Sequence, residues 1–122
     1  MFVNRRDVQI QWGHCDPASI VYYPRYFEMF DDSTSILFEA AGFSKQDIVK
    51  RFGLVGIPMV DTRAKFYIAS TFGDWITIES RVESIKRSSF ESRTRCTRAR
   101  RWRSRRSRRA CWSDIIRMIR AN

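Results

Sequence analysis

Asp16 combines a residue type and a position that could do chemistry. It stands before Pro17 in a turn-rich stretch, Gly13 to Ser19, ahead of a run with helical periodicity, so it lies outside the helix itself. Seven residues on, Tyr23 carries a backbone N–H near the start of that helix. A helix N-terminus presents unpaired N–H groups and a partial positive charge, which can hold an oxyanion as it develops on a carbonyl. A carboxylate and a donor site thus meet at one loop. An acid before a helix can equally be a plain turn or capping residue, so spacing alone leaves both roles open.

Few other groups compete. The single histidine, His14, reads as a surface or hydrogen-bonded residue rather than a base, and Cys15 as a small packing residue, since only His14 is placed to lower its thiol pKa. Three cysteines (Cys15, Cys96, Cys111) without paired spacing argue against a disulfide framework. One histidine and no CxxC argue against zinc, and no cofactor is expected. Chemistry must come from carboxylates, backbone and at most one thiol.

The elements that must position this loop are legible. VQIQW, within Phe2 to Trp12, alternates as a half-buried strand. Pro24, Tyr26, Phe27, Phe30, Leu37, Phe38 and Ala41 follow at spacings of three, four and seven, with Gly42 behind them, which predicts one long helix over Pro24 to Ala41. Ser44 offers an N-cap for a short helix, Lys45 to Phe52, stopped by Gly53. Three alternating segments come next: Met59 to Ala69, Trp75 to Lys86, and Ser89 to about Arg95, parted by turns at Gly73-Asp74 and Arg87-Ser88. Strand, long helix, then antiparallel strands is an α+β plan with one helix against a sheet.

The charge is uneven. The chain has 122 residues and a formal net charge of +10, a length that suits one domain. Residues 1–92 hold 11 Lys+Arg against 12 Asp+Glu, whereas residues 93–122 hold 12 Arg against Asp114 alone. The basic character is confined to the tail. No stretch approaches a membrane span and the N-terminus lacks a secretory apolar run, so a cytoplasmic protein without membrane contact is the expectation.

The segment HCDPASIVYYPRYFEMFD resembles the signature of the 4-hydroxybenzoyl-CoA thioesterase family of hotdog proteins. The likeness continues more loosely through GLVGIPMVDTRAKFYIAS and GDWITIESRVESIKRSSFESR, covering about residues 5–93. It implies a hotdog fold, hydrolysis of an acyl-CoA thioester, and a homodimer or homotetramer. The acid matching Asp16 would be nucleophile or general base, and the N–H matching Tyr23 would polarise the carbonyl. Two positions depart from the motif: Ser19 replaces a usual glycine, and His14 a frequent acid. Tyr22, Tyr26 and Phe27 would line an aromatic acyl pocket or, as helical spacing favours, belong to the core. A hotdog dehydratase is the nearest enzymatic rival, but it would need a histidine paired with an acid.

The resemblance stops at residue 93. Residues 94–122 are expected to be an arginine-rich tail outside an incomplete hotdog domain of residues 1–93, with the last strand missing. Their Arg, Ser, Trp and Cys content suits a coding sequence read out of frame. Codon degeneracy lets the neighbouring frame encode an alternating strand, LAVEAFETRVLV. The rival readings are a nucleic-acid-binding arm, for which arginines with Trp102 and Trp112 are suited, and a truncated product without function. No specific nucleic acid is expected as partner.

Overall fold

The computed structural model describes residues 2–99 and 110–119. Strand β1 (Val3–Gln9) leads through a single 3-10 turn, Trp12–His14, to helix α1 (Tyr23–Ala40). Helix α2 (Lys45–Arg51), capped by the Ser44 hydroxyl accepting the Asp47 N–H, follows. Four strands follow among the described residues: β2 (Met59–Phe66), β3 (Trp75–Ile85), β4 (Ser89–Ala99) and β5 (Ala110–Ile119). They pair antiparallel in the order β1-β3-β4-β5-β2, which leaves β1 and β2 as edges.

The helix buries one stripe. Tyr26, Met29, Phe30, Ser33, Thr34 and Leu37 recur at three and four, so a single face meets the sheet. In β3, Ile76, Ile78 and Ser80 alternate with more exposed neighbours and meet that stripe, joined by Cys96 of β4 and Met118 of β5. The Thr34 and Ser92 hydroxyls, both buried, satisfy each other at 3.2 Å across the helix–sheet boundary. On the outer face Arg5 pairs with Glu79 at 2.8 Å, at the β1–β3 register position that sets them opposite. This is the hotdog arrangement of one helix against an antiparallel sheet. No helix among the described residues is long and apolar enough to cross a membrane.

The tail departs from expectation in three respects. First, β4 runs past residue 93 to Ala99, with Thr94 and Cys96 buried and Arg98 directed to Asp74 at 3.1 Å. Second, the last strand is present. ACWSDIIRMI carries one arginine, Arg117, which is exposed, and places Met118 in the core, so the charges that would forbid a strand lie before it. Third, Cys96 is disulfide-bonded while Cys15 is free. The expectation of disorder in the arginine run falls on residues 100–109, outside the described residues.

Candidate active site

The loop between β1 and α1 is closed by its own backbone. Cys15 and Val21 form an isolated antiparallel bridge, and the Tyr22 N–H donates to the His14 carbonyl at 2.9 Å. Within the bridge the Asp16 N–H donates to the Ile20 carbonyl at 3.0 Å, and the Ser19 N–H to the Asp16 carbonyl at 2.9 Å. Ser19 adopts φ 65°, the left-handed conformation that a glycine takes without steric cost, so a serine here is strained. Asp16 therefore leaves one leg of the loop just after the bridge. Tyr23 leaves the other two residues beyond it.

Asp16 is partly exposed, and its Oδ1 accepts the Ala18 N–H at 2.8 Å. That bond is an Asx turn, so Asp16 is indeed a turn residue; the turn also fixes its carboxylate. At the head of α1, Tyr22 is the N-cap and supplies no side-chain cap. Pro24 has no N–H, the Arg25 N–H donates to the Tyr22 carbonyl, and the Tyr23 N–H is left with no partner among the described residues. An uncapped helix start with a donor left open is a place where an anion can be held.

The other residues take the places their chemistry suits. His14 Nδ1 accepts the Gln11 N–H at 2.9 Å, so the neutral ring carries its proton on Nε2 and is held by the 3-10 turn. Cys15 donates weakly to the Gln11 carbonyl at 3.7 Å. Tyr26 is buried in the core, whereas Tyr22 and Tyr23 are exposed and stack edge to face at 5.6 Å. Phe27 is half-buried between Tyr23 and Phe66. Of the three aromatic candidates, Tyr22 alone is largely open to solvent. Burial raises the Tyr26 phenol above its ordinary pKa, and hydrogen bonding to Ser70 offsets part of that rise.

Sequence reasoning treated Gly73-Asp74 only as a turn and missed its contacts. The Ser70 carbonyl accepts the Val21 N–H at 2.9 Å, and the Asp74 carbonyl accepts the Ile10 N–H at 2.8 Å. The segment before β3 thus touches both legs of the acid loop. An acid closing a Thr-x-Gly-Asp turn was the available signal.

The model of the thioesterase-like superfamily matches residues 10–112. A 4-hydroxybenzoyl-CoA thioesterase of Pseudomonas sp. (strain CBS-3) is 36% identical over 87 residues, which is 70% of this chain and 61% of that protein, so the match spans less than two thirds of the relative. A crystal structure of an Asp-to-Asn mutant of 4-hydroxybenzoyl-CoA thioesterase, complexed with 4-hydroxybenzoyl-CoA, superposes with a TM-score of 0.87 at 25% identity, covering 98% of this chain and 84% of that one. The structure of the enzyme from Pseudomonas sp. strain CBS-3 gives 0.86 at 26% identity, over 98% and 85%.

Proposed function

Since the chain belongs to the thioesterase-like superfamily, we propose that it hydrolyses an acyl-CoA thioester to a free acid and CoA. Asp16 acts as nucleophile or general base, and the Tyr23 N–H as donor to the carbonyl oxygen. The observation that carries this reading is the open start of α1. The Tyr23 N–H has no partner among the described residues, and Asp16 is fixed on the opposite leg of the same closed loop.

A thioester is already activated, so a positioned carboxylate and one oxyanion donor suffice without a metal or a triad. As nucleophile, an Asp16 oxygen bonds to the thioester carbon, negative charge gathers on the oxygen beside the Tyr23 N–H, and the C–S bond breaks to release CoA as thiolate. Water then cleaves the acyl-Asp16 anhydride. As general base, Asp16 instead takes a proton from the attacking water, and the same donor serves the same oxygen.

We assign an aromatic acyl group of the hydroxybenzoyl kind. The exposed Tyr22 and Tyr23 rings at the donor end of α1 and the substrate of the relatives named above support this. Measuring hydrolysis across aromatic and aliphatic acyl-CoAs tests it: aromatic substrates are expected to be preferred, and turnover of none of them would refute the reading. The enzyme is read as a cytoplasmic homodimer or homotetramer. Beside the acid loop Trp12, Tyr22, Tyr23, Phe66, Tyr67 and Phe72 are all exposed, an apolar area that suits a second copy, and β2 is an unpaired sheet edge.

Residues beyond 93 are read as translated out of frame. The change in composition supports this reading: residues 93–122 hold 12 Arg against Asp114 alone, whereas residues 1–92 are close to neutral. Resequencing the gene around the codon for Arg93 tests this: a missing or extra base is expected, and an intact frame confirmed by independent clones would refute it.

A further inference from the structure

We propose that Asp74 is a positioning residue that sets the relation between the Asp16 carboxylate and the Tyr23 N–H. The inference rests on the roles proposed above for those two groups. Asp74 Oδ2 accepts the Thr71 N–H at 2.9 Å and lies 3.3 Å from the Thr71 hydroxyl, while Arg98 Nη2 reaches the same carboxylate at 3.1 Å. The Asp74 N–H donates back to the Thr71 carbonyl at 3.1 Å, so residues 71–74 form a turn closed at both ends. The carboxylate is mostly shielded from solvent, which strengthens these charge-assisted bonds.

This turn is fastened to both legs of the acid loop. Toward β1, the Gly73 N–H donates to the Ile10 carbonyl at 2.9 Å and the Asp74 carbonyl accepts the Ile10 N–H at 2.8 Å, six residues before Asp16. Toward α1, the carbonyl of the fully buried Ser70 accepts the Val21 N–H at 2.9 Å, two residues before Tyr23. The loop's own bridge joins its legs to each other; the turn holds both against the sheet. Loss of the Asp74 carboxylate frees Thr71, and with it the segment that carries Ser70. A small displacement of one leg relative to the other is enough to slow a reaction that depends on near-attack geometry.

The experiment compares the full chain with Asp74→Ala, Asp74→Asn and Arg98→Gln, by steady-state kinetics on 4-hydroxybenzoyl-CoA and by amide hydrogen exchange. Asp74→Ala is expected to lower kcat by about 10- to 100-fold with KM changed less than about twofold, the pattern of lost positioning rather than lost binding. Asp74→Asn keeps an acceptor for Thr71 and should recover most of that loss, and Arg98→Gln should lose about threefold in kcat alone. In Asp74→Ala the amides of Ile10 and Val21 should exchange faster while those of Ile78 and Ser80 in the β3 ladder stay protected. A folded Asp74→Ala with parental kcat and parental exchange at Ile10 and Val21 overturns the proposal, as does a loss confined to KM. Should Asp74→Ala not fold, the Asn and Gln variants decide it by the same two readouts. If the parent turns over no acyl-CoA, the proposed activity is refuted and the exchange pattern alone decides the role of Asp74.

Discussion

The Tyr22 N–H donates to the His14 carbonyl at 2.9 Å, and that bond closes the loop whose two legs carry the Asp16 carboxylate and the Tyr23 N–H. One backbone contact thus ties together the two chain segments from which these groups, seven residues apart in sequence, project.

Ser19 occupies a left-handed position at φ 65°. Ser19→Val is expected to destabilise the fold by about 1–2 kcal/mol, because a β-branched residue tolerates this conformation least. Ser19→Gly should cost nothing and gain up to about 1 kcal/mol, strain relief outweighing the entropy of the unfolded glycine. Urea unfolding measures both, and equal midpoints for Val and Gly variants would remove the strain argument.

Burial raises the pKa of Tyr26 from its ordinary 10.0. A raised folded pKa means that the neutral phenol is favoured by folding, so its contribution is fully present below about pH 10 and is lost as pH rises through the folded value. Tyr26→Phe should therefore show a shallower loss of stability above pH 10 than the parent. Parallel alkaline profiles for the two proteins would contradict the assignment.

The exposed aromatic area and the free β2 edge predict a dimer or larger species by sedimentation equilibrium. Val60→Lys, which puts a charge on that edge where Val60 is exposed, should shift the population toward monomer. A parent that is monomeric and fully active would refute the assembly.

The chain as it stands is expected to unfold at lower temperature and hydrolyse acyl-CoA more slowly than a version with the reading frame restored after residue 93. The sequence of residues 100–109 holds seven arginines, and burying any unpaired guanidinium costs several kcal/mol of the roughly 5–15 kcal/mol that stabilises a domain. Thermal unfolding of both forms side by side is the measurement. Equal stability and turnover would leave the arginine run in need of a role of its own.

Much of this architecture was legible in the sequence because its signals are local. The three-and-four spacing from Tyr26 to Leu37 announced α1, and the alternation through Ile76, Ile78 and Ser80 announced a strand with one buried face. The Asp16 turn and the helix start at Tyr23 were readable because they are adjacent in the chain. The contacts of Asp74 were legible only in part: its turn with Thr71 is local, whereas those with Ile10 and Arg98 exist only once the sheet has assembled. The tail misled for a related reason. Its charge, averaged over residues 94–122, hid the fact that Arg98 finds Asp74 and that ACWSDIIRMI, beyond the arginine run, pairs with both β4 and β2.

If Asp16 does the chemistry and the loop only holds it, the Asp16→Asn variant separates the two roles. Asparagine keeps an oxygen for the Ala18 N–H, so the Asx turn and the fold should survive, with an unchanged circular dichroism spectrum and melting temperature. Turnover of 4-hydroxybenzoyl-CoA should fall by about 100-fold or more, a typical loss for a positioned base or nucleophile. A folded Asp16→Asn protein that hydrolyses this substrate at close to the parental rate would contradict the account.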